Sequence, residues 1–393
     1  MMLRPESQEQ AAFRREVRDW LRDHVPAPLR HATFRPSPEQ AMQWYRALWR
    51  RGWIAPHWPR DYGGMGASPM EQLILMEEMA RAGTPDIPTQ GLNHIGPLLI
   101  ARGSPAQRKQ HLPAILAGDA IWCQGYSEPG AGSDLASLST RAEARDGKLV
   151  INGHKIWTTW GHHANWMFAL VRTSNEGKPR DGISFVLIPM DAPGIRCRPI
   201  RTIAGDDEFA EVFFDDVAVP LENVVGELNR GWDVATAVLS EERLRIGSPA
   251  QALRARERLR MMLRATPADQ LPAGLREDAA LAEVEVQALC AAYLEAAEAG
   301  GEGQGGTRQD GVESAYLKLL ATDTVHLLLD LVRRVAGPAA ALRDPVRQGD
   351  DLLDATEMFL QARRLGIYGG SSEVQRSIIA TRVLGLPSAG SKE

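Results

Sequence analysis

The sequence predicts an α+β protein with three domains in the order helical, β-rich, helical. Apolar residues recur at helical spacing up to about residue 118, and short β-rich runs separated by turn residues follow, from AIWCQGYSE to EVFFDDVAVP. From Gly231 the helical spacing returns and continues to the end of the chain. Because no helix is interleaved among the β-rich runs, we expect antiparallel sheets and not a doubly wound sheet. The predicted domains are residues 1–118, 119–228 and 229–393.

The first domain carries repeated signals for the start of a helix. In SPEQ, SPME and SPAQ, which begin at Ser37, Ser68 and Ser104, a serine precedes proline, and Glu or Gln stands at the third helical position. This order is typical of a capping box, in which the two polar side chains accept hydrogen bonds from each other's backbone amide. We therefore expect a helix to begin at each of the three serines.

Turn residues mark three further boundaries. The Asp146–Gly147 pair between RAEA and KLVI is a strong signal for a β-hairpin. The stretch EAGGEGQGGTRQDG, residues 298–311, is predicted to connect two long helices flexibly. Pro249 lacks an amide hydrogen, so we expect it to kink or end its helix just past Gly247.

Composition excludes several classes of protein. With 45 basic and 50 acidic residues, the net charge of -5 offers no polyanion-binding surface, which argues against a general nucleic-acid role. No stretch approaches the roughly 20 apolar residues of a membrane span, and the start, MMLRPESQEQ, lacks the apolar core of a signal peptide. The three cysteines form no CxxC pair, so we expect a cytoplasmic protein without structural zinc.

The stretch YSEPGAGSDLASL, residues 126–138, is the first candidate for ligand binding. Its GAGSD run matches neither the dinucleotide-binding GxGxxG nor a phosphate loop ending in GKS or GKT. Gly130 and Gly132 can let backbone amides approach a ligand, and Ser127 and Ser133 can add hydroxyl donors. A purely structural turn between strands is the alternative.

The stretch HKIWTTWGHHANW, residues 154–166, places tryptophans and consecutive threonines on a predicted strand. Such residues can supply an aromatic wall and hydrogen-bond donors for a planar heterocycle, and ordinary sheet packing is the alternative. His162 and His163 point to opposite sides of an extended chain. Since no third ligand stands at a metal-binding spacing, we expect no metal site.

The stretch WDVATAVLSEERLRIGS, residues 232–248, is predicted to be helical. At steps of three and four residues Glu242 falls on a line of apolar side chains, whereas Glu241 can pair with Arg245 on an exposed face. A carboxylate among apolar neighbours has a raised pKa, which a general base working near neutral pH requires. The alternative is a glutamate at the rim of the helix that pairs with an arginine.

The stretch IYGGSSEVQR, residues 367–376, puts two glycines directly before a predicted helix start. Glycines at such a position can bring backbone amides close to a ligand. The glycine pair itself carries no acid or base, so any proton transfer there needs a group from elsewhere in the chain.

Together, the order of the elements and the segments YSEPGAGSD, HKIWTTW, VLSEER and YGGSSEVQRSIIATRVLGLP resemble the acyl-CoA dehydrogenase family over essentially the whole chain. Residues 120–170 look most like the large subunits of bacterial pimeloyl-CoA-type dehydrogenases. The resemblance implies an N-terminal helical domain, a middle antiparallel β-domain and a C-terminal four-helix bundle, with FAD between the last two. The assembly implied is a dimer or a tetramer.

The activity that the resemblance implies is the α,β-dehydrogenation of an acyl-CoA thioester. A glutamate removes the pro-R α-proton while the β-hydrogen leaves as hydride to flavin N5, and the electrons then pass to an electron-transfer flavoprotein. An acyl-CoA oxidase or a flavin monooxygenase on the same fold, and a non-catalytic subunit of a heteromeric dehydrogenase, are the alternatives.

Residues can be carried over where this sequence matches the motifs of the family. Positions that match flavin-ring and pyrophosphate contacts are Gln124, Tyr126, Ser127, Gly132 and Ser133, those that match the cover of the isoalloxazine are Trp157, Thr158 and Thr159, and those near the FAD adenosine are Ser371 and Glu373. Positions that match the acyl-CoA pocket are Ser133, Ser240, Arg243 and Tyr368.

The match also indicates where the catalytic base lies. Most members of the family carry a glutamate directly after the tyrosine of the C-terminal turn, and this chain has Gly369 there. Isovaleryl-type and many bacterial members instead place the base on a helix directly before an arginine, which is the position of Glu242 before Arg243. We therefore expect Glu242 to be the base, while the Gly369 amide still binds the thioester oxygen.

Two family motifs that reach across the dimer are missing. Where an arginine followed two residues later by Phe-Gly is expected, the chain reads RERLRMMLRATPADQ, and RRVAGPAAA replaces a glutamine with paired glycines. These losses favour a heteromer in which a paralogous smaller subunit supplies the contacts to FAD.

Overall fold

The computed structural model describes residues 5–32, 35–236, 247–299, 312–342, 346–348 and 351–387. The chain forms two compact units that alternate along the sequence. The first consists of Met1–Ser37, Ala67–Asp86 and Arg243–Glu393, and the second consists of Pro38–Gly66 and Ile87–Glu242. The helices of the N-terminal region are therefore divided between the two units.

The helices are α1 (Gln8–His24), α2 (Pro38–Arg51), α3 (Pro69–Ala82), α4 (Gly96–Arg102), α5 (Pro105–Ala117), α6 (described over 231–236), α7 (Ala250–Ala265), α8 (Leu275–Ala299), α9 (Val312–Ala336), α10 (Ala355–Ala362) and α11 (Ser372–Arg382). The strands are β1 (Trp122–Gly125), β2 (Arg141–Arg145), β3 (Lys148–Thr159), β4 (Trp166–Arg172), β5 (Ile183–Pro189), β6 (Ile195–Ile200), β7 (Phe209–Pro220), β8 (Val346–Gln348) and β9 (Asp351–Leu353).

The predicted helix starts are confirmed where the cap is described. Ser68 and Ser104 each form both hydrogen bonds of a capping box, with Glu71 and Gln107 as their partners. Helix α2 begins at Pro38, directly after the predicted serine. The structure adds a capping box between Ser7 and Gln10 at the start of α1, which lacks the proline used to recognise the others.

The second unit is built around a seven-stranded sheet with the order β1-β4-β2-β3-β7-β6, in which β5 also pairs with β4. The predicted hairpin is confirmed, because β2 and β3 pair antiparallel across Asp146 and Gly147, which have φ angles of 48° and 76°. Pairing is antiparallel for β3 with β7, β4 with β5 and β6 with β7.

Two pairings in the sheet differ from the expected antiparallel arrangement. Strand β1 pairs with β4 in parallel, with Trp122 opposite Trp166, and β2 pairs with β4 in parallel at Arg141 and Arg172. The β2–β3 hairpin lies between β1 and β4 in the sequence, so the chain returns to the same end of the sheet before β4 begins.

The first unit is helical apart from the short β8–β9 hairpin in its described part. Helices α3, α7, α8 and α9 share one hydrophobic core, whose members include Leu73, Leu253, Leu289 and Leu328. Residues 247–249 are not helical, and α7 begins directly after Pro249. The described residues agree with a break at this proline, whereas the end of the preceding predicted helix, within residues 237–246, lies outside them. No helix among the described residues is long and apolar enough to cross a membrane.

A buried ion pair fixes the loop after β1 to strand β3. The Nζ atom of Lys155 donates to Glu128 Oε1 at 2.8 Å and to the Tyr126 carbonyl at 3.1 Å. The Lys155 side chain is 0% exposed, and the Glu128 side chain is 4% exposed. The loop and the strand therefore hold each other in place inside the unit, where water cannot compete for either charge.

The remaining acceptor positions of Glu128 are also occupied. Its Oε2 accepts from the Ser139 amide at 2.6 Å and from the Ser139 hydroxyl at 2.8 Å, and Oε1 accepts from the Thr140 amide at 2.9 Å. Burial opposes ionisation of Glu128, but the charge and hydrogen bond of Lys155 and the bonds from Thr140 and Ser139 lower its pKa to about 2.

Burial also lowers the pKa of Lys155, to about 8, against the opposing effect of Glu128. Both groups are therefore charged at neutral pH, and the carboxylate is lost only as the pH falls towards about 2. Because the folded-state pKa of Glu128 is depressed, its contribution to stability is present above the ordinary carboxyl pKa and is lost in acid.

We expect Lys155→Met to lower the free energy of unfolding by about 3–5 kcal/mol, because the variant leaves the Glu128 carboxylate buried and unpaired. The double variant Glu128→Gln/Lys155→Met should lose less than the sum of the two single variants. Urea unfolding monitored by circular dichroism measures these changes.

The control is Arg145→Ala, which removes an ion pair with Glu143 whose side chains are 63% and 51% exposed. An exposed pair contributes about 0–1 kcal/mol. Equal losses for Lys155→Met and Arg145→Ala would contradict the importance that we assign to the buried pair.

Candidate functional site

A β-bulge in strand β3 turns one tryptophan outwards. Lys155 lies opposite Val212 of β7 and Thr158 lies opposite Ala210, so β3 holds one residue more than its partner between these pairs. In a regular strand, residues 155 and 157 would face the same side of the sheet. The extra residue separates them, because Lys155 is buried whereas Trp157 is 57% exposed.

The backbone at Trp157 has a conformation that bulky residues rarely adopt. Its φ angle is 60°, in the left-handed region. The indole contacts the Phe209 ring edge to face, with ring centroids 6.1 Å apart. Since such outliers persist only where the surrounding structure holds them, the bulge and the neighbouring buried Lys155 present Trp157 as a fixed aromatic surface.

The threonines after Trp157 face different environments. The side chain of Thr158 is buried, and its hydroxyl forms no hydrogen bond in the part of the chain that the structure describes. Thr159 is half-buried and pairs with Phe209 across the ladder. Of the two predicted hydroxyl donors, Thr159 is thus the one that is open to solvent on this unit.

The loop after β1 has a tight turn at its tip. The amides of Glu128 and Ala131 each donate to the carbonyl of the other residue, at 2.9 and 3.1 Å. Gly130 and Gly132 are exposed, and a Cβ atom added to either would meet no atom within 4 Å. Ser133 is exposed as well. The backbone on this side of the loop is therefore open to a ligand, while Glu128 anchors the other side.

Ser127 connects the loop to the bulged strand. Its carbonyl accepts from the Ile156 amide at 3.0 Å, which places Ser127 next to the residue before Trp157. The Ser127 side chain is half-buried, and so is Gln124, which lies opposite Phe168 in the ladder of β1 and β4. The structure thus brings Ser127 and Trp157 together, as a shared role in binding a flat ring requires.

Tyr126 takes a supporting position in this unit. Its ring is buried and packs edge to face on Phe168 and Phe185, with centroid distances of 5.8 and 6.3 Å. Tyr126 also accepts from Lys155 through its carbonyl. The ring therefore belongs to the core that carries the loop.

The glycine turn predicted near the C-terminus belongs to the other unit. Gly369 and Gly370 have φ angles of 64° and 85°, so both adopt the left-handed backbone for which glycine is suited. Helix α11 begins right after the turn, and the Ser371 hydroxyl caps it by accepting from the Val374 amide at 3.3 Å. Among the described residues, the Gly369 amide donates to no acceptor.

The neighbours of this turn are partly open. Tyr368 is half-buried, and its hydroxyl accepts from Gln251 Nε2 at 3.4 Å. Glu373 is exposed in the first turn of α11. The Ser371 hydroxyl oxygen accepts the cap hydrogen bond, so a contact from Ser371 to a ligand would use its O–H, its other lone pair or its backbone.

Three predicted residues lie outside the described part of the chain, which excludes residues 237–246. They are the candidate base Glu242 and the pocket residues Ser240 and Arg243. The first described residue after this stretch is Gly247, which packs directly on α9. A Cβ atom there would lie 2.7 Å from Leu317 Cβ and 2.9 Å from its carbonyl carbon, so only glycine fits.

The described residues contain no group of three or more His, Cys, Asp or Glu side chains placed to hold a metal ion. The prediction that His162 and His163 point to opposite sides of an extended chain is wrong, because residues 160–163 form a turn and the two rings lie 3.9 Å apart. Burial lowers the pKa of both imidazoles.

Glu128 and Lys155, which position the two candidate stretches, were not predicted from the sequence. Each of these residues lies inside a stretch that had been selected for its glycines, serines or tryptophans. The opposite charges in the two stretches could have suggested an ion pair. The sequence does not predict that Glu128 and Lys155 are buried, because Lys and Glu side chains are mostly exposed in proteins.

FAD is the cofactor that the resemblance implies, and the residues of the second unit fit its flavin part. The unit presents an exposed indole at a rigid bulge, a half-buried hydroxyl at Thr159, and an open glycine-containing loop. An aromatic face and nearby donors suit a planar heterocycle, and open backbone amides suit a diphosphate.

Comparison with known proteins shows the family of the chain. Models of the N-terminal, middle and C-terminal domains of acyl-CoA dehydrogenases match residues 7–119, 123–217 and 229–384. The chain is 38% identical to acyl-CoA dehydrogenase IpdE1 of Mycobacterium tuberculosis over 97% of this chain and 98% of that protein. It is 35% identical to acyl-CoA dehydrogenase FadE26 of the same organism, over 97% and 98% of the two chains.

Two solved structures are similar along the whole chain. The Tcur3481-Tcur3483 steroid ACAD has a TM-score of 0.86 and 31% identity, covering 99% of this chain and 100% of that one. The ChsE4-ChsE5 complex from Mycobacterium tuberculosis has a TM-score of 0.83 and 33% identity, with coverage of 99% and 100%. The predicted fold and cofactor are thereby confirmed: the chain belongs to the acyl-CoA dehydrogenase family of FAD-dependent oxidoreductases.

Proposed function

We propose that this chain dehydrogenates an acyl-CoA thioester between its α and β carbons to give the trans-2-enoyl-CoA. The observation that carries the proposal is the bulged strand, which presents Trp157 beside Ser127 on a support anchored by the buried ion pair. In the proposed reaction, bound FAD supplies the acceptor for the β-hydrogen. We retain residues 1–118, 119–228 and 229–393 as the domains of this enzyme.

Glu242 is the proposed base for the α-proton. Gly369 has no side chain to act as a base, and Gly247, five residues after Glu242, lies in close contact with Leu317 of α9, which fixes the chain there. A carboxylate on an apolar helix face has the raised pKa that proton abstraction near neutral pH requires. Ser240, Arg243 and Tyr368 are proposed to line the acyl-CoA pocket, and Ser133 is proposed to contact both substrate and cofactor.

The Gly369 amide is the proposed donor to the thioester oxygen. Removing the α-proton places negative charge on this oxygen, and a fixed backbone amide stabilises it without reorganising during the reaction. Support comes from the left-handed backbone of the turn and from the Gly369 amide, which makes no hydrogen bond among the described residues. Ser371 and Glu373 are proposed to contact the adenosine part of FAD. The proposed contacts to the flavin and pyrophosphate are Gln124, Tyr126, Thr158, Thr159 and Gly132.

We further propose that the chain works in a heteromer with a paralogous smaller subunit. The stretch RERLRMMLRATPADQ replaces a motif that reaches across the dimer, and three of its four arginines are engaged inside their own unit. Arg256 and Arg260 pair with Glu283 at 3.4 and 2.9 Å, and Arg258 donates to the Ala32 carbonyl at 3.0 Å. The names of the two similar structures each join two chains, which also supports a heteromer.

The proposed acyl group is steroid-derived, because one similar structure, which matches this chain over its full length, is named a steroid ACAD. The proposed electron acceptor is an electron-transfer flavoprotein. The proposed location is the cytoplasm, and Cys123, Cys197 and Cys290 are free thiols, as a reducing compartment allows.

A non-catalytic role beside an active paralogue is the second candidate function. The observation that favours it is the loss of the cross-dimer motifs, which leaves the FAD site dependent on a partner. Flavin absorbance that an acyl-CoA does not bleach, in a complex that contains this chain, would support this second candidate. Peroxide release without an added acceptor would instead indicate an oxidase.

We expect Glu242→Gln to abolish anaerobic bleaching of the flavin by acyl-CoA, because a carboxamide cannot remove the α-proton. Loss of a general base lowers the rate by about 10²–10⁴-fold. The measurement is flavin absorbance after rapid mixing, with FAD content checked beforehand. Glu241→Gln is the matched control and should retain bleaching. Unaltered bleaching in Glu242→Gln would show that Glu242 is not the base.

We expect the purified chain alone to bind less than one FAD per chain and to gain full occupancy when co-expressed with its paralogous partner. Light scattering gives the oligomeric state, and the absorbance ratio of flavin to protein gives the occupancy. If the chain alone forms a homotetramer with stoichiometric FAD and turns over acyl-CoA, the heteromer proposal is wrong.

A further inference from the structure

Gln375 contacts the glycine turn from inside helix α11. The side chain is 0% exposed. Its Nε2 atom donates to the carbonyl oxygens of both Gly369 and Gly370, at 3.0 and 3.1 Å. A single buried carboxamide thus uses both of its hydrogens on two successive carbonyls of the turn.

These two bonds restrict the peptide that carries the Gly369 amide. Peptide groups are planar, so a hydrogen bond to the carbonyl oxygen restrains the orientation of the whole peptide group. Gln375 fixes the plane that follows Gly369, and the bond from the Tyr368 amide to the Arg364 carbonyl, at 3.0 Å, fixes the plane that precedes Tyr368. The Gly369 amide lies in the plane between these two anchored peptides.

The turn is fitted closely to this side chain. A Cβ atom at Gly370 would lie 2.4 Å from Gln375 Nε2, nearer than atoms can approach without a shift. The start of α11 does not need Gln375, since the Ser371 hydroxyl already caps the helix. The two bonds therefore act on the shape of the turn and not on the beginning of the helix.

We propose that Gln375 is a positioning residue that aims the Gly369 amide at the thioester oxygen. The inference rests on the proposed function of Gly369, and it adds the group that holds the amide in place. Only a residue with two donor hydrogens at this distance can bind both carbonyls. Methionine has a similar size without donors, and an ionised glutamate turns acceptor oxygens towards acceptor oxygens.

The test compares Gln375→Met with the wild type in the FAD-loaded protein, together with its partner chain if loading requires one. Rapid mixing with saturating acyl-CoA gives the limiting rate of flavin bleaching, and hydrogen exchange read by mass spectrometry reports on residues 366–372. We expect the limiting rate to fall on the order of 10²-fold, because small misplacements of a reacting group have effects of this size. Exchange in the turn should accelerate while substrate affinity and FAD content are retained.

The matched control is Gln361→Met on α10 of the same unit, which removes a bond from Nε2 to Glu357 Oε1 at 3.3 Å and a bond that Gln361 Oε1 accepts from Arg364 Nη1 at 3.5 Å. The control should keep the limiting rate of flavin bleaching and the hydrogen exchange of the turn.

Gln375→Glu adds a pH profile, because a protonated carboxyl regains one donor. Its limiting rate, relative to that of the wild type, should recover as the pH falls, whereas the relative rate of Gln375→Met should stay flat.

A limiting rate in Gln375→Met equal to that of the wild type would overturn the inference and leave the proposed function standing. Unchanged exchange at residues 366–372 would also overturn it, whatever the activity. Loss of FAD or accelerated exchange along all of α11 would reassign Gln375 to a structural role and overturn positioning. Absence of bleaching in the wild type would overturn the proposed function itself, which the first two results do not touch.

Discussion

The ammonium group of Lys155 is buried in a core that water does not enter, and Glu128 is the counterion that makes this burial possible. Two charges buried together are tolerated when further hydrogen bonds support them, and here the Tyr126 carbonyl accepts from Lys155 while Ser139 and Thr140 donate to Glu128. The pair joins residues 27 positions apart in the chain. Because a shift of either backbone would leave a charge without its partner, the loop after β1 and strand β3 keep one relative position. That relative position determines where the loop and strand β3 lie on the exposed surface of this unit.

The β-bulge lets this rigid strand present an exposed aromatic surface. A regular strand would bury residue 157 beside Lys155, or expose both of them. One extra residue lets the strand keep its anchor in the core and present an indole two residues later. The price is a left-handed backbone at Trp157, and the anchor on one side and Phe209 on the other hold it there. In the other unit, Gln375 has the same relation to the glycine turn, since a buried polar group there fixes an exposed backbone.

Much of the architecture could be predicted from the sequence, because its signals are local. A serine, a proline and an acid or amide at fixed spacing begin a helix wherever they occur, and Asp-Gly closes a hairpin through its own backbone preferences. The parallel pairing of β1 with β4 and the bulge at Trp157 depend instead on which strands meet. In the site, glycines and tryptophans were visible as candidates, whereas Lys155 and Gln375 were not. Their roles come from burial beside partners distant in the chain, and Gln375 reads as an ordinary helix residue within SSEVQR.

The alternation of the two units along the chain has a consequence for biosynthesis. The sheet unit ends at Glu242, so every segment that it needs has been translated by then. Helices α1 and α3 belong to the other unit and leave the ribosome early, but α3 packs against α7 and α8, which are made more than a hundred residues later. Until then the apolar side of α3, with Leu73, has no core to enter. The nascent chain thus exposes the apolar face of α3 during an interval in which all segments of the sheet unit are already available for folding. Exposed apolar surface promotes aggregation, so a chaperone is most useful in this interval.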